Sequence, residues 1–167
     1  MRRIGVVVLA VALAGCGLLG GDLSTGELCR TAIDDDVRAT LGATADAPVL
    51  ARMEDGACVW ALDGADVIPR RMTAIVYRQA DLERAIPAQT GAARFEVELR
   101  ALEEEHPRTR LLGGLGDVAV IGFGKIGEGL FAGGLIARKG GDVLVMRVEG
   151  EDPAAFEATA REIAENM

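Results

Sequence analysis

The period of the hydrophobic pattern changes several times along the chain. Ile4 to Ala14 is an unbroken apolar run behind Arg2 and Arg3. Ser24-Thr25-Gly26-Glu27 then fits the S-x-x-E capping box. Leu28, Ala32, Ile33, Val37 and Leu41 follow at helical spacing, and Gly42 is a suitable stop. Asp34-Asp35-Asp36 falls inside this stretch. Three consecutive acids can suggest a cation site, but here they read as the cap and first turn of a second short helix, where carboxylates suit the helix dipole. The period then drops to two. Residues 49–62 read as two strands joined at Asp55-Gly56, a strong hairpin signal, which sets Glu54 opposite Ala57 and Met53 opposite Cys58. Residues 70–78 alternate as a third strand.

Helical spacing returns over 80–105, clearest at Phe95, Leu99 and Leu102, until Pro107 stops it. Residues 108–117 read as a loop leading into a strand at Val118-Ala119-Val120-Ile121. Residues 129–138 and 142–149 form a hairpin about Gly140-Gly141, with Lys139 opposite Asp142 as an attractive pair. That register puts Leu135, Ala137, Leu144, Met146 and Val148 on one face. Asp152-Pro153 opens a last helix, with Asp as N-cap and Pro in the first turn, and Phe156, Ala160, Ile163, Ala164 and Met167 form its buried stripe. The order is helix, three strands, helix, three strands, helix. It predicts an α+β domain in which an antiparallel sheet is built from two meanders, with the helices packed on one face.

The first apolar run has a different meaning. It is shorter than the roughly 20 residues that span a bilayer, and two arginines precede it. This is the pattern of a secretory signal peptide, residues 1–15. Its end, Leu13-Ala14-Gly15-Cys16, resembles the bacterial lipobox. The resemblance implies cleavage before Cys16, a diacylglycerol-type (palmitate-class) modification of its thiol, and an anchor on the cell membrane or, in a Gram-negative envelope, the outer membrane. The competing reading is an ordinary cleaved signal with an incidental Cys16. Residues 16–26 are glycine-rich and read as the acylated tether, and 27–167 as a single domain. Losing residues 1–15 removes two arginines and no acid, which takes the formal charge from −8 to −10. So acidic a body gains little from anionic lipid, and its hold on the membrane falls to the acyl chains.

Export also changes the reading of the other cysteines. Cys29 and Cys58 remain as an even pair outside the cytoplasm, where a structural disulfide is the natural pairing. The spacing is not C-x-x-C, and no Cys/His cluster is at hand for zinc.

Composition narrows function without assigning it. Asp and Glu number 26 against 18 Lys and Arg, so the basic footprint of a nucleic-acid binder is missing. The only serine, Ser24, lies at the tether, and the only histidine, His106, stands exposed-looking beside a helix end and reads as structural or incidental. A hydrolytic Ser or Cys constellation therefore has no parts. Gly122, Gly124 and Gly127 match G-x-G-x-x-G after an apolar strand, the strongest case for a nucleotide-dependent oxidoreductase. Gly129, Gly133 and Gly134 follow in the would-be crossover helix, each costing about 1 kcal/mol relative to Ala. A glycine-rich turn between antiparallel strands is the preferred reading.

The body resembles small bacterial, actinobacterial-type extracytoplasmic lipoproteins of a family of unknown function. The matching features are Cys16, Cys29, Cys58-Val59-Trp60, Gly114-Leu115-Gly116-Asp117 and Gly141-Asp142. The resemblance implies an antiparallel α+β domain outside the membrane and no particular activity. The expectation is a membrane-anchored envelope lipoprotein acting as a non-enzymatic binding or interaction module. Its partner would be an envelope protein, a lipid or a small ligand, with no cofactor, metal or nucleic acid.

Overall fold

The computed structural model describes residues 24–30, 35–44, 46–62, 70–86 and 89–167. The signal segment, Cys16, Ala32 and Ile33 of the first apolar stripe, and Asp34 of the acid run lie outside the described residues. The described fold begins at Ser24, inside the segment read as tether. Ser24 caps α1 (Thr25–Leu28), and both halves of the capping box are made. The helix α2 (Asp35–Thr40) is separate, with Asp35 and Asp36 in its first turn. It ends at Gly42, whose φ of +64° lets Ala43 N–H reach back to Arg38 O at 2.9 Å.

The strands β1 (Val49–Glu54) and β2 (Ala57–Leu62) pair as expected, Glu54 with Ala57 and Met53 with Cys58. Their turn has φ of +50° at Asp55 and +81° at Gly56, the left-handed pair that a two-residue hairpin needs. β3 (Arg71–Tyr77) follows on β2. The long helix expected over 80–105 is two, α3 (Gln79–Ala85) and α4 (Gly91–Glu105). Ile86, the residue before Pro87, is extended at φ −140° and ψ 104°, because proline disfavours the helical region for its predecessor. A short strand, β4 (Thr109–Leu111), lies where a loop was expected. β5 (Val118–Gly127), β6 (Leu130–Lys139) and β7 (Asp142–Gly150) complete one seven-stranded antiparallel sheet in the order β1-β2-β3-β7-β6-β5-β4. The two meanders join through β3 and β7, with Ala74 opposite Met146. α5 (Pro153–Glu165) closes the chain, and its N-cap Asp152 accepts from Ala154 and Ala155 N–H.

The helices do not share one face. Leu28, Leu41, Phe156, Ala160 and Ala164 bury against Trp60, Met72, Leu135, Leu144 and Met146 on the first face of the sheet. Phe95 and Leu102 of α4 bury against Val120, Ile136 and Val143, which point the other way. The central strands β5, β6 and β7 are apolar on both faces, so each face needs a cover. α1, α2 and α5 supply one and α4 the other.

Two aspartates pin the loops. Asp142 lies opposite Lys139, as expected, but the pair does not form. The Asp142 carboxylate instead accepts from Gln79 N–H at 2.9 Å and pairs with Arg78, while Lys139 Nζ donates to Met167 O. Asp117 of the Gly-Leu-Gly-Asp turn accepts from Gly140 N–H at 2.9 Å, which holds the β6–β7 hairpin. Cys29 Sγ is bonded to Cys58 Sγ, with Cα atoms 5.1 Å apart, so α1 is tied to β2. Among the described residues no helix is long and apolar enough to cross a membrane.

Candidate ligand-binding groove

The glycine motif does not end at a helix. Gly122 and Gly124 lie within β5, and after Gly127 the chain turns at Gly129 (φ +70°) straight into β6. A dinucleotide pyrophosphate rests on the N-terminus of a helix that follows the first strand. β6 occupies that place, paired with β7 from Phe131–Gly150 to Lys139–Asp142.

The glycines shape the second face of the sheet instead. Gly122 lies opposite Gly134, and Gly124 opposite Ala132, a strip of backbone almost bare of side chains. Neighbours fill half of it. A Cβ on Gly134 would stand 2.8 Å from Leu102 Cδ1, and one on Gly122 would stand 3.0 Å from His106 Cβ. The His106 ring then runs over Gly124, where a Cβ would stand 3.2 Å from Nδ1. His106 is the C-cap of α4, held there by its N–H donating to Leu102 O at 2.8 Å. The residue is only 5% exposed, so the expectation of an exposed histidine is corrected: bare glycine backbone leaves room for the ring.

Past His106 the strip stays open and forms the floor of a groove of about 650 Å³. That volume is in the range of small-ligand sites. Gly124 and Ala132 are its base, and Ile126 adds apolar wall. Arg71 and Thr73 of β3 and Arg147 and Glu149 of β7 stand along one side, since register pairs Arg71 with Glu149 and Thr73 with Arg147. Glu105 closes one end, and β5 runs past the other at Lys125, which the register sets opposite Phe131.

Arg147 and Glu105 belong to a network running under α4. Arg147 Nε lies 3.2 Å from Glu105, and its Nη2 lies 3.6 Å from Glu98. Glu98 also pairs with Arg94, whose guanidinium sits 4.0 Å above the Tyr77 ring. Arg71 Nε reaches Glu149 Oε2 at 3.3 Å; the Arg71 side chain is largely open to solvent, while Glu149 Oε2 is buried with no hydrogen bond among the described residues. Lys125 makes no ion pair or hydrogen bond among the described residues. Burial holds the His106 imidazole below its ordinary pKa of 6.5. Glu105 opposes that shift and Arg147 adds to it. The ring is therefore neutral at pH 7, and its Nδ1 is buried with no hydrogen-bond partner among the described residues.

The structure thus brings the glycine motif and His106 together, with a different meaning from the one their sequence spacing suggests. It places Cys29 and Cys58 on the first face, away from the groove. Arg71, Thr73, Arg147 and Glu149 escaped sequence reasoning. Their only signal is polar alternation in β3 and β7, which an ordinary solvated face shows equally. Among the described residues no group of three His, Cys, Asp or Glu side chains is placed to hold a metal. No family model, curated protein or solved structure matches the chain.

Proposed function

We propose that the chain is a lipid-anchored extracytoplasmic binding module, without catalysis of its own, which takes a small ligand in the groove beside α4. The groove carries the binding part of this reading. Its floor is bare strand backbone beside the His106 ring, while its rim is rich in donors and acceptors. The address rests on the sequence Leu13-Ala14-Gly15-Cys16 behind a short apolar run. The Cys29–Cys58 bridge supports it, because such bonds persist in oxidising compartments. The resemblance to extracytoplasmic lipoproteins points the same way. The anchoring lipid then makes the membrane one partner and leaves the groove for a second, soluble one.

Metabolic labelling tests the address. Wild-type chain expressed in a bacterial host should incorporate labelled palmitate into the membrane fraction, and Cys16→Ala should accumulate as an unlabelled, uncleaved precursor. A Cys16→Ala protein that is still cleaved and still membrane-bound would overturn the anchor. Amide-shift mapping of the mature protein against a fragment library tests the groove. Responses centred on Gly124, Ala132 and Thr73 support it, and responses confined to other surfaces overturn it.

A further inference from the structure

We propose that, apart from the groove, the free edge of the sheet at β1 pairs with β1 of a second copy of this chain, joining two sheets into one; of the reading above it takes only the lipid anchor, which strengthens the pairing. β1 stands at one end of the strand order and β4 at the other. β4 is three residues long, and short edge strands are a common protection against stray pairing. β1 has six residues in unbroken register with β2, and it carries no proline, lysine or bulge. Among the described residues the exposed large apolar side chains include two on this one strand, Leu50 and Met53. Its two charged residues pair with each other, Arg52 with Glu54 at 3.1 Å. An open edge of this length and character is a template for another strand.

The hairpin fixes which backbone groups face outward. Glu54 and Ala57 flank a two-residue turn, so they exchange hydrogen bonds with each other. Alternation then turns Arg52 and Leu50 inward to β2 and leaves the N–H and C=O of Val49, Ala51 and Met53 at the open edge. Leu62, opposite Val49, agrees with this parity: its N–H donates away from β1, to Arg70 O at 3.1 Å. No backbone bond fills the outward groups of β1 among the described residues.

A second copy fits that edge in one antiparallel register. With Ala51 opposite Ala51 on a twofold axis, Val49 of each copy faces Met53 of the other, and every outward donor meets an acceptor. Leu50 then lies opposite the second copy's Arg52, whose methylene stem covers it. A slip of two residues one way sets Arg52 against Arg52, a repulsive pair. A slip the other way leaves Met53 beyond the end of the second copy's strand. The faces match as well. Val49, Ala51 and Met53 share the face of Trp60 and Cys58, to which α1 is tied. The twofold axis runs perpendicular to the sheet, so both copies carry α1 on the same side, and two lipid anchors can enter one membrane. About six backbone bonds make a small interface. Confinement by the anchors offsets this by raising the effective concentration to the order of millimolar.

Oxidative cross-linking of single-cysteine variants of the full chain, expressed in a bacterial host, tests this, with peptide mapping to show that Cys29–Cys58 stays intact. In the proposed register the two Ala51 Cα atoms stand about 5.5 Å apart, within disulfide reach, while the two Leu50 positions are diagonal at about 7–8 Å. Ala51→Cys should therefore give disulfide-linked dimer about tenfold above Leu50→Cys and above the collisional control Arg100→Cys, on the exposed side of α4. Energy transfer between donor- and acceptor-labelled chains in neutral phosphatidylcholine vesicles gives a second reading. Wild type should exceed the level of random mixing. Ala51→Lys, which sets two ammonium groups face to face, and Ala51→Pro, which removes an outward N–H, should fall to that level with unchanged circular dichroism. Equal cross-linking at positions 51 and 100 would overturn the pairing. So would wild-type transfer at the random level, or transfer that survives Ala51→Pro. Ala51→Cys linked to other envelope proteins and not to itself would give the edge to a foreign strand and overturn the second copy. The anchor is read separately, by the fraction that holds the chain: a chain found outside the membrane would sink the anchor, and cross-linking of that soluble chain at about 1 mM would still decide the edge.

Discussion

Removing the bridge between Cys29 and Cys58 is the perturbation whose magnitude follows most directly from the structure. The two cysteines stand 29 positions apart in sequence. In the chain-entropy model a loop of that length stabilises the fold by about 3.6 kcal/mol at 25 °C, by restricting the unfolded chain. For a protein of this size each kcal/mol moves the melting temperature by about 2–4 °C, so the loss should be roughly 7–14 °C. The native state gives no relief, because Cys58 is fully buried between α1 and the sheet. Urea unfolding of oxidised wild type, reduced wild type and the Cys29→Ala/Cys58→Ala double variant reads the difference. The reduced protein and the double variant should fall together, with the variant lower by no more than about 1 kcal/mol for the lost sulfur volume. The denaturant slope should rise when the bridge is absent, because the freed unfolded chain exposes more surface. A reduced wild type within about 1 kcal/mol of the oxidised form would refute the loop argument. So would an unchanged slope together with a large loss, which would move the effect into native-state packing.

Two further outcomes test other parts of the structure. Gly91→Ala places a Cβ 1.9 Å from Gly141 O, a backbone atom that cannot rotate away, so it should destabilise by about 3 kcal/mol in thermal or urea unfolding; a neutral result would mean that α4 does not start against the β6–β7 hairpin. His106 is the only histidine, so its ring protons give a clean titration by NMR. The midpoint should lie below 6.5, because burial disfavours the imidazolium. Since the folded value is the lower one, the unfolded chain takes up the proton first. Stability is then complete above 6.5 and declines as pH falls from there toward the folded midpoint. A midpoint at or above 6.5 would show that the ring is not buried over Gly124.

The elements that could be read from sequence are those whose signals are local. The Asp55-Gly56 and Gly140-Gly141 turns fix their hairpins, and both registers stand in the structure as expected. Ser24, Asp152 and Gly42 mark helix ends because their backbone chemistry acts within a few residues. The cysteine pair was legible from compartment and parity, and Cys29 and Cys58 are bonded. What failed depends on distant partners. Strand β4 is three residues long and exists only because β5 is there to pair with it. The division of helices between two faces depends on Ile136 and Val143 pointing opposite to Leu135 and Leu144. The hairpin register gives that parity, but an almost continuous apolar run carries no marker for which helix covers which face. His106 was misread because the bare backbone that houses it lies on another strand. The groove was illegible for the same reason: its rim comes from β3, β5, β7 and the end of α4, and its floor from residues that contribute no side chain.

The bond between α1 and β2 also sets a route for mechanical load. Tension applied to the N-terminal end of the chain enters the described fold at Ser24 and reaches Cys29 within a few residues. There the covalent path forks, and the short branch crosses directly to Cys58. Everything between the two cysteines, α2 and β1 included, is shunted and carries no pull. The force arrives at β2, whose hydrogen bonds to β3 must then yield together before the sheet opens. A domain hung by its N-terminus is thereby gripped at the sheet and cannot be peeled apart from its first helix.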